Sequence, residues 1–365
     1  MRARAAVQLA AGRPLAVMEI DIADPGPDDV VVRISAVGIC GTDLHQIRGE
    51  WQRPTPMVLG HEGAGVIEAV GRNVDPARIG EEVVLTWAAS CRTCADCIRG
   101  RPAACVALHR AMAAGTLVDG TTGMSLGGKP VYRGTATGAL VERLVIAGHL
   151  ALPTGGDIPL VQAALLGCAA LTGVGALLFV AKPHSRSVVL VIGLGGVGQF
   201  CVQGARLLDA SLIIGVDPFE SRRQLALQLG ASHAVAPSDV EEVIAAIAPE
   251  GADVALDVVG SSATTGSALR LTRSGGTTVI VGLPPAGEEL RLEFGEFNRR
   301  EKWLTGTMYG SENPADAMPQ LLAYARSGQL NLEAMTGPCY PLDGVNEAVE
   351  ASMAGSPTRV IVIPN

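Results

Sequence analysis

The stretch Val188-Val189-Leu190-Val191-Ile192-Gly193-Leu194-Gly195-Gly196-Val197-Gly198 decides the fold. Its first five residues are apolar and four of them are β-branched, the composition of a strand buried on both faces. The glycines that follow lead into the helix-compatible stretch Gln199 to Leu208. Glycines at such a turn let the backbone approach a pyrophosphate, and the positive end of the helix favours its charge. The next apolar run, Leu212 to Val216, ends in Asp217, 19 residues beyond Gly198. A carboxylate there accepts hydrogen bonds from ribose hydroxyls and repels a 2′-phosphate. Gly193, Gly195, Gly196, Val197, Gly198 and Asp217 are therefore read as a site for NAD in preference to NADP.

Outward from this unit, apolar runs at Ala252 to Asp257, Thr277 to Val281 and Leu304 to Met308 alternate with helical stretches at Glu241 to Ile247 and Thr264 to Leu271. That alternation predicts an α/β fold with a doubly wound parallel sheet. The chain has 365 residues, enough for two domains, and its 45 glycines show no triplet period, which excludes collagen. A net charge of −8 without clustered Lys or Arg excludes a nucleic-acid surface. Arg2 and Arg4 precede an apolar run that Gln8 interrupts and Arg13 closes, so it is read as a first strand and not as a signal peptide. Ile158 to Ala181 carries no charge for 24 residues, the length of a membrane span. Its glycines, Pro159 and the nucleotide pattern that follows favour a buried core helix, hence no membrane and a cytoplasmic protein.

Cys91, Cys94, Cys97 and Cys105 hold four of the eight cysteines within 15 residues. Neighbouring sulfurs in the pattern C-x2-C-x2-C-x7-C are too close in sequence to pair comfortably as disulfides, whereas a tetrahedral zinc accepts four thiolates. Four thiolates leave no open position, so this metal is structural, and it is expected to hold together a lobe at 88–110.

Cys40 lies in Gly38-Ile39-Cys40-Gly41-Thr42-Asp43-Leu44-His45, and His61 with Glu62 lies in Gly60-His61-Glu62-Gly63-Ala64-Gly65-Val66. These blocks, the four-cysteine lobe, Leu166-Gly167-Cys168-Ala169-Ala170-Leu171-Thr172-Gly173 and the glycine turn have an order and spacing that resemble the zinc-dependent alcohol dehydrogenases of the medium-chain dehydrogenase/reductase superfamily, across most of the chain. The resemblance implies a GroES-like, mainly β catalytic domain of residues 1–155 and 304–365, interrupted by a Rossmann domain of residues 156–303. It implies that Cys40, His61 and Cys168 bind a catalytic zinc, making two Zn2+ per chain. Glu62 would lie behind that zinc, and Asp43 would orient the ligand histidine. Two thiolates and a neutral imidazole cancel the charge of the ion yet leave it a Lewis acid.

Thr42 and His45 are spaced as in relatives that relay the alcohol proton, and their separation puts them on one helical turn. By the same resemblance, Arg222 lines the adenosine pocket, Arg359 contacts a cofactor phosphate and Trp87 walls the substrate pocket. Gly41 departs from the basic residue that some relatives place against the pyrophosphate, which leaves cofactor grip to the glycine turn and Arg359. The segment from Ala113 to Tyr132 resembles the family's long loop form and implies a homodimer. The expected reaction interconverts a small-molecule alcohol and its aldehyde or ketone with NAD(H). The alternatives are a thiol-dependent formaldehyde dehydrogenase, a biosynthetic C=C or iminium reductase, and a zinc-stabilised structural protein. Cys201 and Cys339 are read as ordinary cysteines.

Overall fold

A computed structural model of the chain describes residues 1–88 and 90–365. Ala89, within the expected metal lobe, lies outside the described residues. The decisive stretch forms the strand Val188–Ile192 and the helix Gly196–Leu207, so the helix begins three residues before Gln199 and takes in the last glycines of the turn. The strand lies inside a six-stranded parallel sheet in the order His233–Val235, Leu212–Val216, Val188–Ile192, Ala252–Asp257, Thr272–Ile280, Trp303–Gly306. Strand order reverses at Val188–Ile192, and the crevice at the carboxyl ends of the strands beside that reversal is where such sheets bind ligands.

The β-branched run serves two cores at once. Val189 and Val191 belong to the main apolar cluster, whereas Leu190 and Ile192 join Ile214, Val216, Val240, Ile244 and Ala268 on the opposite face. Alternation of side chains across the pleat, with helices on both faces, explains why no polar residue interrupts the strand.

The last strand spans one expected boundary. Thr278 pairs with Leu304 and Ile280 with Gly306, so the parallel sheet runs past residue 303, and a division between 303 and 304 would cut a paired strand.

The uncharged segment is a bent series of short helices, Leu160–Ala163, Ala164–Gly167, Ala169–Gly175 and Ala176–Ala181, rather than one core helix. Its two halves meet at 49°, and no single helix among the described residues is long and apolar enough to cross a membrane. Gly173 lets it lie against the nucleotide helix, where a Cβ would come within 2.5 Å of the Val197 carbonyl oxygen.

The remaining chain builds two further sheets. One runs Lys129–Pro130, Met124–Leu126, Ala16–Ile22, Arg2–Gln8, Met57–Val58, Tyr132–Arg133, so the expected long loop contributes a hairpin to it. The other runs Ala151–Pro153, Glu82–Leu85, Glu62–Val70, Asp29–Gly38, Arg359–Ile363, Thr336–Pro341, with Arg143–Ala147 also on Asp29–Gly38. Ile361 pairs with Gly38 and Val362 with Val37, so the chain after the parallel sheet returns to the unit in which it began.

Candidate metal and dinucleotide site

Cys40 caps the helix Gly41–Arg48, where its extended backbone turns the chain out of Asp29–Gly38. The helix N-terminus favours a thiolate at that position. Asp43, fully buried one turn in, closes a capping box: its Oδ2 accepts the Cys40 N–H at 3.0 Å. Its Oδ1 accepts the Gly60 N–H at 3.0 Å and lies 3.4 Å from His61 Nδ1. One carboxylate thus ties together the two sequence blocks that carry Cys40 and His61. With Nδ1 turned to Asp43, the other ring nitrogen of His61 is left for a metal.

Cys168 caps the helix Ala169–Gly175 within the bent segment. The ligand atoms of Cys40, His61, Glu62 and Cys168 all lie within 4.8 Å of one another, and all four residues are buried. The donor set suits zinc: two thiolates, one imidazole and a carboxylate in reserve. Hydrogen bonding to Cys168, with the charges of Arg359 and His61, holds the Cys40 thiol well below its usual pKa. Burial pushes Glu62 up to about 7 against the pull of Arg359, whose Nη2 donates to Glu62 Oε1 at 2.8 Å.

The second cluster joins Cys91, Cys94, Cys97 and Cys105, with all sulfurs within 4.8 Å and no disulfide among them. The Cys94–Cys97 and Cys91–Cys97 sulfur separations are 3.4 and 3.9 Å. Tetrahedral zinc with bonds of about 2.3 Å spaces its sulfurs by about 3.8 Å. Backbone N–H groups of Cys91 and Cys94 each point at a cysteine sulfur at 3.3 Å, which stabilises thiolates. Cys201 is buried in the core, with its thiol pushed up by burial, and Cys339 is exposed; neither joins a cluster.

The glycine turn reaches the same cavity, of about 1160 Å³, which is lined by Cys40, Thr42, His45, His61, Trp87, Cys168, Gly193, Gly195, Gly196, Val197, Asp217, Arg222 and Arg359. Gly193 has φ +93, and a Cβ on Gly198 would run into the Gly193 carbonyl oxygen. Gly195, the N-cap, faces open space where a Cβ would meet nothing. Asp217 Oδ2 accepts the Leu194 N–H at 2.8 Å, and Arg222 Nη1 lies 3.4 Å from the same oxygen. Arg223 instead donates to the Asp217 and Pro218 carbonyl oxygens.

Arg359 stands between the two centres. A Cβ on Gly196 would come within 2.8 Å of its guanidinium carbon, its Nη1 donates to the Ile39 carbonyl, and its buried Nε has no partner. An open glycine turn at a helix N-terminus, with an unpaired guanidinium nitrogen beside it, fits a diphosphate.

The structure also brings in residues that the sequence did not flag. Tyr309 packs on Trp87 with ring centroids 4.3 Å apart, and its hydroxyl donates to the Gly167 carbonyl. Trp87 in turn meets His61 edge-on at 6.3 Å. His45 Nδ1 contacts Glu50, and its ring stacks on Trp51 at 4.9 Å. Trp51 Nε1 donates to the Pro284 carbonyl at 3.3 Å, bridging the two halves of the cleft. No local motif marks these residues; only the fold assembles them.

Residues 26–153 match the family model described as alcohol dehydrogenase GroES-like domain, and residues 196–325 match that of zinc-binding dehydrogenase. The S-(hydroxymethyl)glutathione dehydrogenase of Paracoccus denitrificans is 32% identical, with both chains covered in full. Benzyl alcohol dehydrogenase from Acinetobacter calcoaceticus superposes with TM-score 0.94 at 28% identity, covering 100% of each chain. An alcohol dehydrogenase zinc-binding domain protein from Burkholderia ambifaria gives TM-score 0.94 at 33% identity, also over 100% of each chain.

Proposed function

The chain belongs to the zinc-dependent alcohol dehydrogenase family of the medium-chain dehydrogenase/reductase superfamily, and on that premise we propose how its residues interconvert an alcohol and its aldehyde or ketone. The observation that carries the reading is the convergence of Cys40, His61 and Cys168 on the cavity that also holds the glycine turn and Asp217. Zinc and NAD are the cofactors; when bound, the metal supplies a Lewis acid for the substrate oxygen and the nicotinamide exchanges hydride with its carbon.

The protein supplies position, protons and dryness. Cys40, His61 and Cys168 hold the metal, with Asp43 fixing the imidazole and Glu62 in reserve behind it. Thr42, in the first turn of the helix Gly41–Arg48, takes the alcohol proton, and His45 one turn later passes it toward the cavity mouth. Trp87, only 7% exposed and braced by Tyr309, walls the reacting centre from water. The glycine turn and Arg359 hold the pyrophosphate, while Asp217 and Arg222 meet the adenosine end.

A panel of primary and secondary alcohols with NAD, followed by absorbance at the reduced nicotinamide band, tests the activity. His61→Ala should abolish turnover and halve the zinc content while the circular dichroism spectrum stays native. Normal alcohol oxidation by that variant would refute the ligand assignment.

The relatives named S-(hydroxymethyl)glutathione dehydrogenase support a second reading, in which the alcohol is a thiol adduct of formaldehyde. Formaldehyde oxidation that requires added glutathione would select it.

We further place the protein in the cytoplasm, divide it into 1–155 with the chain after Gly306 and the intervening parallel-sheet unit, and take the assembly to be a homodimer. The edge strand Trp303–Gly306, with Trp303 69% exposed, supports pairing with a second copy. Light scattering that returns a monomer would overturn the dimer.

A further inference from the structure

Arg53 is a half-buried cation on the wall of the active cavity, and its Nε is shielded from solvent without a hydrogen-bond partner. No ion pair joins it to an acid among the described residues, and burial alone pulls its pKa down. The cavity is also short of negative charge. Among the described residues that line it, only Asp217 carries a carboxylate, and that carboxylate is engaged by Leu194 and Arg222 at the adenosine end, while the Cys40 and Cys168 thiols belong to the metal cluster.

Three further segments of the catalytic half line the same cavity. Pro54, the neighbour of Arg53, packs by Gly115 at the end of the helix Val106–Ala114, which brings His109 and Met112 to the cavity. Gln46 and Thr135 also line the cavity; a Cβ on Gly134 would sit 3.1 Å from Gln46 Oε1, and both Gln46 Oε1 and Thr135 Oγ1 are buried without partners. A partly desolvated guanidinium without a counterion, in a cavity that also holds unsatisfied polar groups, is costly unless a ligand completes it. The dinucleotide has its own partners, because Arg359 faces the glycine turn and Arg222 faces Asp217.

We propose that Arg53 binds a carboxylate on the substrate, so that the preferred alcohols and aldehydes carry an acid group beside the reacting carbon's chain or ring. This rests on the alcohol dehydrogenase reading and names its substrate class. A guanidinium pairs with a carboxylate through charge-assisted hydrogen bonds, and Thr135 and Gln46 offer further polar groups on the wall of the same cavity. The acid could belong to a small hydroxy acid or to a peptide thiol adduct of formaldehyde.

The test compares matched pairs: 4-(hydroxymethyl)benzoate against 4-methylbenzyl alcohol, and 6-hydroxyhexanoate against 1-hexanol, with formaldehyde plus glutathione as a separate arm. At least one acid should exceed its neutral partner in kcat/KM by tenfold or more. Arg53→Gln should cut that acid-to-neutral ratio by at least tenfold, mostly through KM for the acid, and Arg53→Lys should restore part of it. A preference confined to the glutathione arm, lost in Arg53→Gln, assigns the carboxylate to the adduct. Equal efficiency within every pair, or an Arg53→Gln effect confined to KM for NAD, overturns the proposal while leaving alcohol oxidation intact. Absence of turnover with every alcohol and with the adduct overturns the underlying reading, and this one with it.

Discussion

Asp43 does more with one carboxylate than any other side chain at the metal centre. It fixes the Cys40 backbone, accepts from Gly60 and faces His61 Nδ1. Carboxylates behind metal-bound histidines typically contribute 10- to 100-fold in metal affinity or activity. Asp43→Ala should therefore lower kcat/KM by about 10- to 100-fold, and zinc retention under mild chelation should fall in parallel. Full activity with normal retention would show that His61 is positioned without it.

At the adenosine end, Asp217→Ala should relax the preference for NAD over NADP, read as the ratio of the two kcat/KM values. An unchanged ratio would remove the ribose role. Cys40, His61 and Cys168 are dispersed in sequence, and only the family resemblance singled them out; the fold brings their donor atoms together. Arg53 and Tyr309 were not legible, since each gains its meaning from a neighbour distant in sequence or from the absence of one, as Tyr309 does from Trp87 and Gly167.

Among the elements, the strand, turn and helix at 188–207 could be read from the residues because β-branched periodicity, glycine placement and helix propensity agree there. The glycine turn is also where the backbone tolerates least. A methyl on Gly198 would meet the Gly193 carbonyl oxygen inside the turn, a clash with backbone that no rotamer relieves. Gly198→Ala should weaken NAD binding by at least tenfold in a fluorescence titration, with zinc content unchanged. Wild-type affinity would mean that the turn can shift to accept a side chain.

Elsewhere, composition misled about shape. Ile158 to Ala181 reads as one apolar helix because nothing charged interrupts it, yet the chain must bend to place Cys168 at the metal and Gly173 against the nucleotide helix. The strand expected at Thr277 to Val281 begins at Thr272, where polar residues and two glycines enter the sheet through an irregular register. Periodicity carries no signal for such a stretch.

For the molecule as a whole, the two cysteine and histidine clusters give a stoichiometry. Elemental analysis should find two zinc ions per chain, and fewer in undamaged protein would contradict it. Stepwise chelation should separate the roles. Loss of the four-cysteine metal should lower the melting temperature, because ligation contributes folding free energy to a lobe with little core of its own. Loss of the other should remove activity first. The fold class was legible from the alternation of apolar runs and helices, in which the run from Leu304 already belonged to the parallel sheet, whereas the expected division between 303 and 304 came from the family resemblance and falls inside that strand.

The pairing of Arg359–Ile363 with Asp29–Gly38 sets an order of assembly during synthesis. Once residue 306 has emerged from the ribosome, the parallel sheet has all its strands, whereas the sheet bearing Glu62 must wait for a partner about 300 residues downstream. Until then Arg143–Ala147 covers only Asp29–Arg33, the Val37–Gly38 end of that edge is open, and Glu62 lacks its counterion. The nucleotide-binding half can thus fold on the nascent chain while the metal-binding half stays an unfinished client, exposed to mispairing and to chaperones.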